Sequence, residues 1–220
     1  MALLTVAEAA ERLGVTVRRV QHLVAGGTLR SVARGVVDEA SVERYLASRG
    51  GFRWRPWSEP TAWGAVALLS GRDAAWMGES QRSRLRGRLR ELSAGELAGR
   101  ARGRAEASRY TGHTSTAGRL RGQVVDTSAA AEALGLTATA AVDGYVAAGD
   151  LDALVARHGL IRDDAGPFTL RATGMAIDVV ADLARTGPVV AALDLAESLD
   201  VRERRAGVDA LTDALERFRG

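Results

Sequence analysis

The chain has 220 residues and a formal charge of +3, from 30 basic and 27 acidic groups, and it contains no cysteine. Every basic residue is Arg, so there is no Walker A phosphate loop, Schiff-base lysine or kinase-type lysine, and no disulfide framework, thiolate zinc site or thiol nucleophile. The longest apolar runs, such as Ala65 to Leu69, fall far short of the ~20 residues a membrane span needs, and Met1-Ala2-Leu3-Leu4-Thr5 lacks the form of a signal peptide.

A soluble, globular, cytoplasmic chain is therefore expected, with no membrane partner. Its charge is uneven. Residues 1 to 50 hold 7 Arg and 5 acids, residues 51 to 122 hold 14 Arg and 6 acids, and residues 123 to 220 hold 9 Arg and 16 acids. A basic front and an acidic back predict a polyanion for the first and a protein partner for the second.

Thr5 followed by Glu8 is a capping box that starts a helix, with Val6, Ala9, Ala10 and Leu13 as its apolar face and Gly14 as its end. Thr16 can cap a second helix over residues 16 to 25. Val17, Val20, Leu23 and Val24 are expected inward, leaving Thr16, Arg18, Arg19, Gln21 and His22 outside. Two short helices joined by a tight Gly-containing turn have helix-turn-helix spacing. The exposed set suits the major groove: Arg pairs bidentately with guanine, Gln with adenine, and Thr at a helix start reaches a phosphate or base edge. Gly26-Gly27 ends the helix, and Arg34-Gly35 reads as a hairpin tip returning through Val36-Val37 to a helix over Glu39 to Ser48, with Val42, Tyr45 and Leu46 inward. That hairpin would be a small wing carrying Arg30 and Arg34 to the DNA backbone or minor groove.

Leu4-Thr5-Val6-Ala7-Glu8-Ala9-Ala10, Leu13-Gly14-Val15-Thr16, Arg19-Val20-Gln21 and the Gly27 turn resemble the winged helix-turn-helix of the MerR and excisionase families over about residues 3 to 48. The resemblance implies that residues 16 to 22 enter the major groove and that residues 30 to 34 touch flanking backbone.

Further along lie all four tryptophans, Trp54, Trp57, Trp63 and Trp76. Their spacing among apolar residues favours the core of a second small domain; Arg53-Trp54-Arg55-Pro56-Trp57 could alternatively stack on bases. From Ser80 a helix is expected with Leu85, Leu89 and Leu92 buried and Arg82, Arg84, Arg86, Arg88 and Arg90 over the rest. Ser93 with Glu96 opens another helix to about Ala107, adding Arg100, Arg102 and Arg104. Candidate phosphate contacts are Arg53, Arg55, Arg82, Arg84, Arg86 and Arg88. Tyr110 to Thr116 reads as a polar loop, and its His113 has no catalytic neighbour at a telling spacing.

In the acidic part Val124-Val125 suggests a strand, Ser128 to Leu134 a helix ended by Gly135, and Asp150 to His158 a helix capped by Asp150 and ended by Gly159. Leu160 to Arg162 and Phe168 to Arg171 flank the turn Asp163 to Pro167 and predict a β-hairpin, hence a second winged-helix-like module. Asp163-Asp164 lacks the ligand spacing of a calcium loop. Met175 to Ala184 is ambiguous between helix and strand. Gly187-Pro188 starts a helix to Ser198, and Asp200 caps a last one to about Phe218 with Val201, Val208, Leu211 and Leu215 inward.

The order of these phrases, Arg-Pro-Trp-Ser, Thr-Ala-Trp, Leu-Leu-Ser-Gly, Asp-Gly-Tyr-Val and Ala-Leu-Asp-Leu-Ala-Glu-Ser behind a helix-turn-helix, resembles the AbiEi-like antitoxins and regulators of type IV toxin-antitoxin systems. The resemblance implies autorepression and a nucleotidyltransferase-like toxin as partner. The expectation is a mainly α chain with small β-hairpins in three domains. These are a winged helix-turn-helix at residues 1 to 50, a Trp-containing, Arg-rich helical domain at 51 to 122, and an acidic α+β domain at 123 to 220 for partner binding or oligomerisation. Double-stranded DNA is the expected ligand and a homodimer the expected assembly. No enzyme activity, cofactor or metal is expected, since the three histidines are scattered.

Overall fold

The computed structural model describes residues 3–25, 29–39, 41–42, 45, 54–128, 141–198 and 200–220. The chain divides into two compact units, Met1–Arg53 and Trp54–Gly220. Most described residues are helical, with two small sheets.

In the first unit, Thr5 ends strand β1 (Leu3–Thr5) and caps helix α1 (Val6–Leu13). Its hydroxyl accepts from the Glu8 N–H at 3.2 Å, and the Glu8 carboxylate accepts from the Thr5 N–H at 2.7 Å, so two orphan donors are satisfied together. Gly14 stops the helix at φ 61°, where a side chain would be strained. Helix α2 (Val17–Ala25) follows at once. Strand β3 (Val36–Asp38) pairs antiparallel with β1 and with β2 (Ser31–Ala33), and Gly35 at φ 79° supplies the left-handed residue of the turn between β2 and β3. Ala9, Ala10, Val20, Leu23, Leu29, Val37 and Val42 form the core.

Two details differ from the sequence reading. Leu3–Thr5 is a strand of the sheet. Val17, expected inward, is 44% exposed in the first turn of α2, outside the core that Val20 and Leu23 enter. The helix expected at 39 to 48 is described at Glu39, Ser41, Val42 and Tyr45, which are helical. Leu46 and the Gly26-Gly27-Thr28 turn lie outside the described residues.

The second unit carries helices α3 (Glu59–Leu69), α4 (Glu79–Glu91), α5 (Ala94–Ala101), α6 (Thr116–Arg121), α7 (Leu151–His158), α8 (Ile177–Thr186), α9 (Val189–Ala196) and α10 (Val201–Arg219). Its sheet contains β4 (Glu106–Thr111), β5 (Val125–Asp126), β6 (Val142–Ala147), β7 (Ile161–Arg162) and β8 (Phe168–Thr173), in the order β5-β6-β8-β4-β7. The β6 and β8 pair is parallel and the other pairs are antiparallel.

Strand periodicity sorts the side chains onto two faces. Val142 and Val146 of β6, Phe168 and Leu170 of β8 and Tyr110 of β4 share one apolar core with Ala117, Leu120, Leu154 and Leu160. The alternate residues Asp143, Tyr145, Thr169, Arg171 and Thr173 belong to the other face, where α3 and α9 pack. Trp63 of α3 meets Tyr145 edge to face at 5.3 Å, and its indole N–H donates to the Arg104 carbonyl at 2.9 Å and the Thr173 hydroxyl at 3.1 Å. Helix α9 is buried along its whole length, and α3 from Ala62 to Leu68. Each is apolar on nearly all sides, as a central helix must be.

Several expectations are corrected here. The helix opened by Ser93 ends at Ala101, and residues 106 to 111 form a strand because Ser108 and Tyr110 alternate inward. The Leu160–Arg162 and Phe168–Arg171 segments do not form a hairpin: β4 lies between β7 and β8 and pairs with both. The connecting turn passes so close to β4 that a Cβ on Gly166 would lie 2.1 Å from the Tyr110 carbonyl oxygen. The helix-then-hairpin order that suggested a second winged module is thereby lost. Because β4 shares a sheet with β5 to β8, the expected boundary between residues 122 and 123 falls inside one compact unit. Residues 175 to 184 resolve as helix from Ile177. Asp150 makes no side-chain cap bond, and Val201, expected inward, is 74% exposed. The helix expected at 128 to 134 falls almost wholly outside the described residues.

Candidate nucleic-acid interface

Helix α2 is anchored through Val20 and Leu23, so positions between and beside them must face out. Arg18, Arg19, Gln21 and His22 are all exposed, as is Thr16 ahead of them. The Thr16 hydroxyl oxygen accepts the Arg19 N–H at 3.3 Å, which fixes the helix start and leaves the hydroxyl proton available to a phosphate or base. No ion pair among the described residues engages Arg18 or Arg19. Their guanidinium forks are therefore open to an outside acceptor.

Arg30 and Arg34 are exposed at the two ends of the β2 segment. The Ser41 hydroxyl holds this segment, accepting from the Arg30 N–H at 3.1 Å and donating to the Asp38 carbonyl at 2.7 Å. Arg12 of α1 pairs with Glu39 at 2.7 Å, tying the helix pair to the segment after the sheet. The scaffold thus fixes the backbone beneath the exposed cations.

The candidate phosphate contacts of the second unit separate into groups. Arg53 lies outside the described residues, and Arg55 is exposed. Arg82 is half-buried and donates to Asp73 at 2.8 Å, so its charge is already met. Arg84, Arg86 and Arg88 are exposed on α4, whose Leu85 and Leu89 are buried.

Arg104 departs furthest from expectation, being 1% exposed rather than part of a basic surface. It donates to the Tyr145 hydroxyl at 2.7 Å, Glu197 at 2.7 Å and Asp194 at 2.6 Å. Arg171 forms a bidentate pair with Asp143 at 2.7 and 2.9 Å and reaches Glu197 at 2.7 Å. Tyr145 and Thr127 each donate to Asp194, at 2.6 and 2.8 Å. Burial alone would raise the Asp194 pKa, but Arg171, Arg104 and the hydroxyl donor hold that carboxyl below its ordinary range. Asp143 stands above its ordinary range, because burial outweighs the attraction of Arg171. These groups satisfy one another and fasten α9 to the sheet. One signal was present in the sequence: Asp194 is the lone charge in the otherwise apolar run Val189 to Ala196.

His113 is exposed, with Nδ1 2.8 Å from the Ser115 hydroxyl. Asp163 is a turn residue, its carboxylate accepting the Ala165 N–H at 2.9 Å. Among the described residues no helix is long and apolar enough to cross a membrane.

Residues 3–50 match the family described as helix-turn-helix domain. The front of this chain is a helix-turn-helix domain. DNA is the partner such a domain supports, and α2 lies within the matched residues. No curated protein and no solved structure matches the chain.

Proposed function

We propose that the protein is a sequence-specific, double-stranded DNA-binding transcriptional regulator acting in the cytoplasm. It is a winged helix-turn-helix autorepressor that reads the major groove with α2 and steadies itself on the backbone through Arg30 and Arg34. The observation that carries this reading is the solvent face of α2, where Thr16, Arg18, Arg19, Gln21 and His22 stand exposed beside a buried Val20 and Leu23. One such helix reads few base pairs, so a homodimer on a repeated site is part of the proposal. Arg18→Ala or Arg19→Ala is expected to cost ~1 to 3 kcal/mol of binding to the upstream region of its own gene and to relax base preference. Competition binding at fixed salt measures both, and equal affinity of the wild type for that region and a random duplex would refute base reading.

A second reading is an antitoxin, and what favours it is the set of exposed acids Asp150, Asp152, Asp163 and Asp164, which lie outside the buried ion cluster. In this reading the second unit neutralises a nucleotidyltransferase-like toxin by protein contact. Copurification of such a protein from the native host is the expected result. Loss of that copurification when the four acids become amides supports the surface named, and its persistence removes it.

A further inference from the structure

The structure leaves one dense set of charges without an internal purpose. Helix α4 carries five Arg, and their surroundings differ. Arg82 is met by Asp73, and the Arg90 guanidinium stands 5.9 Å over the ring of Phe218. Arg84, Arg86 and Arg88 are exposed, and no hydrogen bond or ion pair occupies them among the described residues.

At ~100° per residue, Leu85 and Leu89 set the buried direction, Arg84 and Arg88 fall on one flank and Arg86 on the other. Between the flanks, on the outermost line, stand Ser83 and Gly87, both exposed, and a Cβ added to Gly87 would meet nothing within 4 Å. A polyanion can therefore approach the helix closely while cations hold it from both sides. Arg84 and Arg88, ~6 Å apart along the axis, repel each other in the free protein, as like charges at this spacing do. The helix dipole rewards Arg88 in the last turn but gives nothing to Arg84 or Arg86. An acceptor from outside is what would relieve this arrangement.

We infer that Arg84, Arg86 and Arg88 form a second DNA contact, a phosphate-binding rail that adds affinity without reading sequence. The inference rests on the reading of this chain as DNA-binding. Once the helix-turn-helix domain holds a duplex, the rail sits in the same covalent chain, so its contact becomes intramolecular and weak individual phosphate bonds add usefully.

The test is a salt series on the full-length protein with two duplexes, the upstream region and a random sequence of equal length. Each phosphate neutralised contributes about −0.9 to the slope of log K against log salt. The combined substitution Arg84→Gln, Arg86→Gln, Arg88→Gln should reduce the slope by about 2 to 3 and weaken both duplexes by the same factor, about tenfold or more near 0.1 M salt. The ratio between duplexes should stay constant. Lysine at the same three positions should retain the slope, since a phosphate contact needs the charge more than the fork. Gly87→Glu, whose Cβ would meet nothing within 4 Å, adds a carboxylate between the flanks and should weaken both duplexes too.

An unchanged slope in the Gln variant overturns the rail while leaving base reading intact, and so does a slope lost with Gln and not regained with Lys. An unchanged slope accompanied by loss of a copurifying acidic protein overturns it in favour of a protein surface. If the wild type binds neither duplex, both readings fall. If the wild type binds both duplexes equally and the Gln variant loses slope, the rail stands and base reading fails.

Discussion

At the scale of single residues, the outcome turned on which arginines face water. Arg18 and Arg19 were legible because three-residue spacing of Val20 and Leu23 fixes the inward side of a short helix. Arg104 was not, since its partners Asp194 and Glu197 lie about ninety positions away. Within that cluster the Asp194 carboxyl is held below its ordinary range, with a definite consequence for pH dependence. The native state binds this proton less readily than the unfolded chain, so the stabilisation is complete above the unfolded value of about 3.9 and fades as pH falls through the lower folded value. Asp143 works with the opposite sign, its raised pKa favouring the native state most at low pH and losing that contribution as pH rises through the folded value. All four tryptophans belong to the second unit, so their fluorescence follows its unfolding alone. The urea midpoint by fluorescence should drop on acidification below about pH 4, with a shallower acid limb in Asp194→Asn. An equally steep limb in that variant would show that Asp194 does not carry the effect.

At the scale of elements, local signals succeeded where their hydrogen bonds are local. The Thr5–Glu8 and Ser93–Glu96 boxes both cap helices, because donor and acceptor are three residues apart in any helix that starts there. Strand pairing failed for the opposite reason: the Asp163 to Pro167 turn looks like a hairpin loop, yet nothing in it records that β4 will lie between its arms. Helix contact is likewise invisible locally. Gly207 of α10 sits against α9 so closely that a Cβ would lie 2.5 Å from the Ala196 nitrogen and 2.6 Å from the Ala192 carbonyl oxygen. Helix propensity alone would favour alanine there by about 1 kcal/mol. Gly207→Ala is instead expected to destabilise the second unit by about 1 to 3 kcal/mol through overpacking. Gly87→Ala, on an exposed helix with open space around it, should stabilise by about 0.5 to 1 kcal/mol. Urea midpoints of the two variants moving in the same direction would contradict this account.

At the scale of the whole molecule, the charge asymmetry remains, but its division changes. The first unit has its own apolar core and carries the helix-turn-helix domain; the second interleaves basic middle and acidic back in one sheet. Deletion tests of the antitoxin reading should therefore cut after Arg53. Removing residues 1–53 is expected to keep any copurifying protein, whereas cutting after Gly122 would strip β4 of every neighbouring strand. A copurifying protein lost with residues 1–53 would place the contact outside the second unit. The sequence by itself determined the helix-turn-helix, the exposed side of its second helix and its caps, since each depends on residues within about one or two helical turns. Only the tertiary structure decided the strand order, the burial of Arg104 and Arg171 among three carboxylates, and which arginines of α4 stay open. Those outcomes rest on partners far apart in the chain, and a buried charge becomes tolerable only where the fold brings its counter-charge within hydrogen-bond reach.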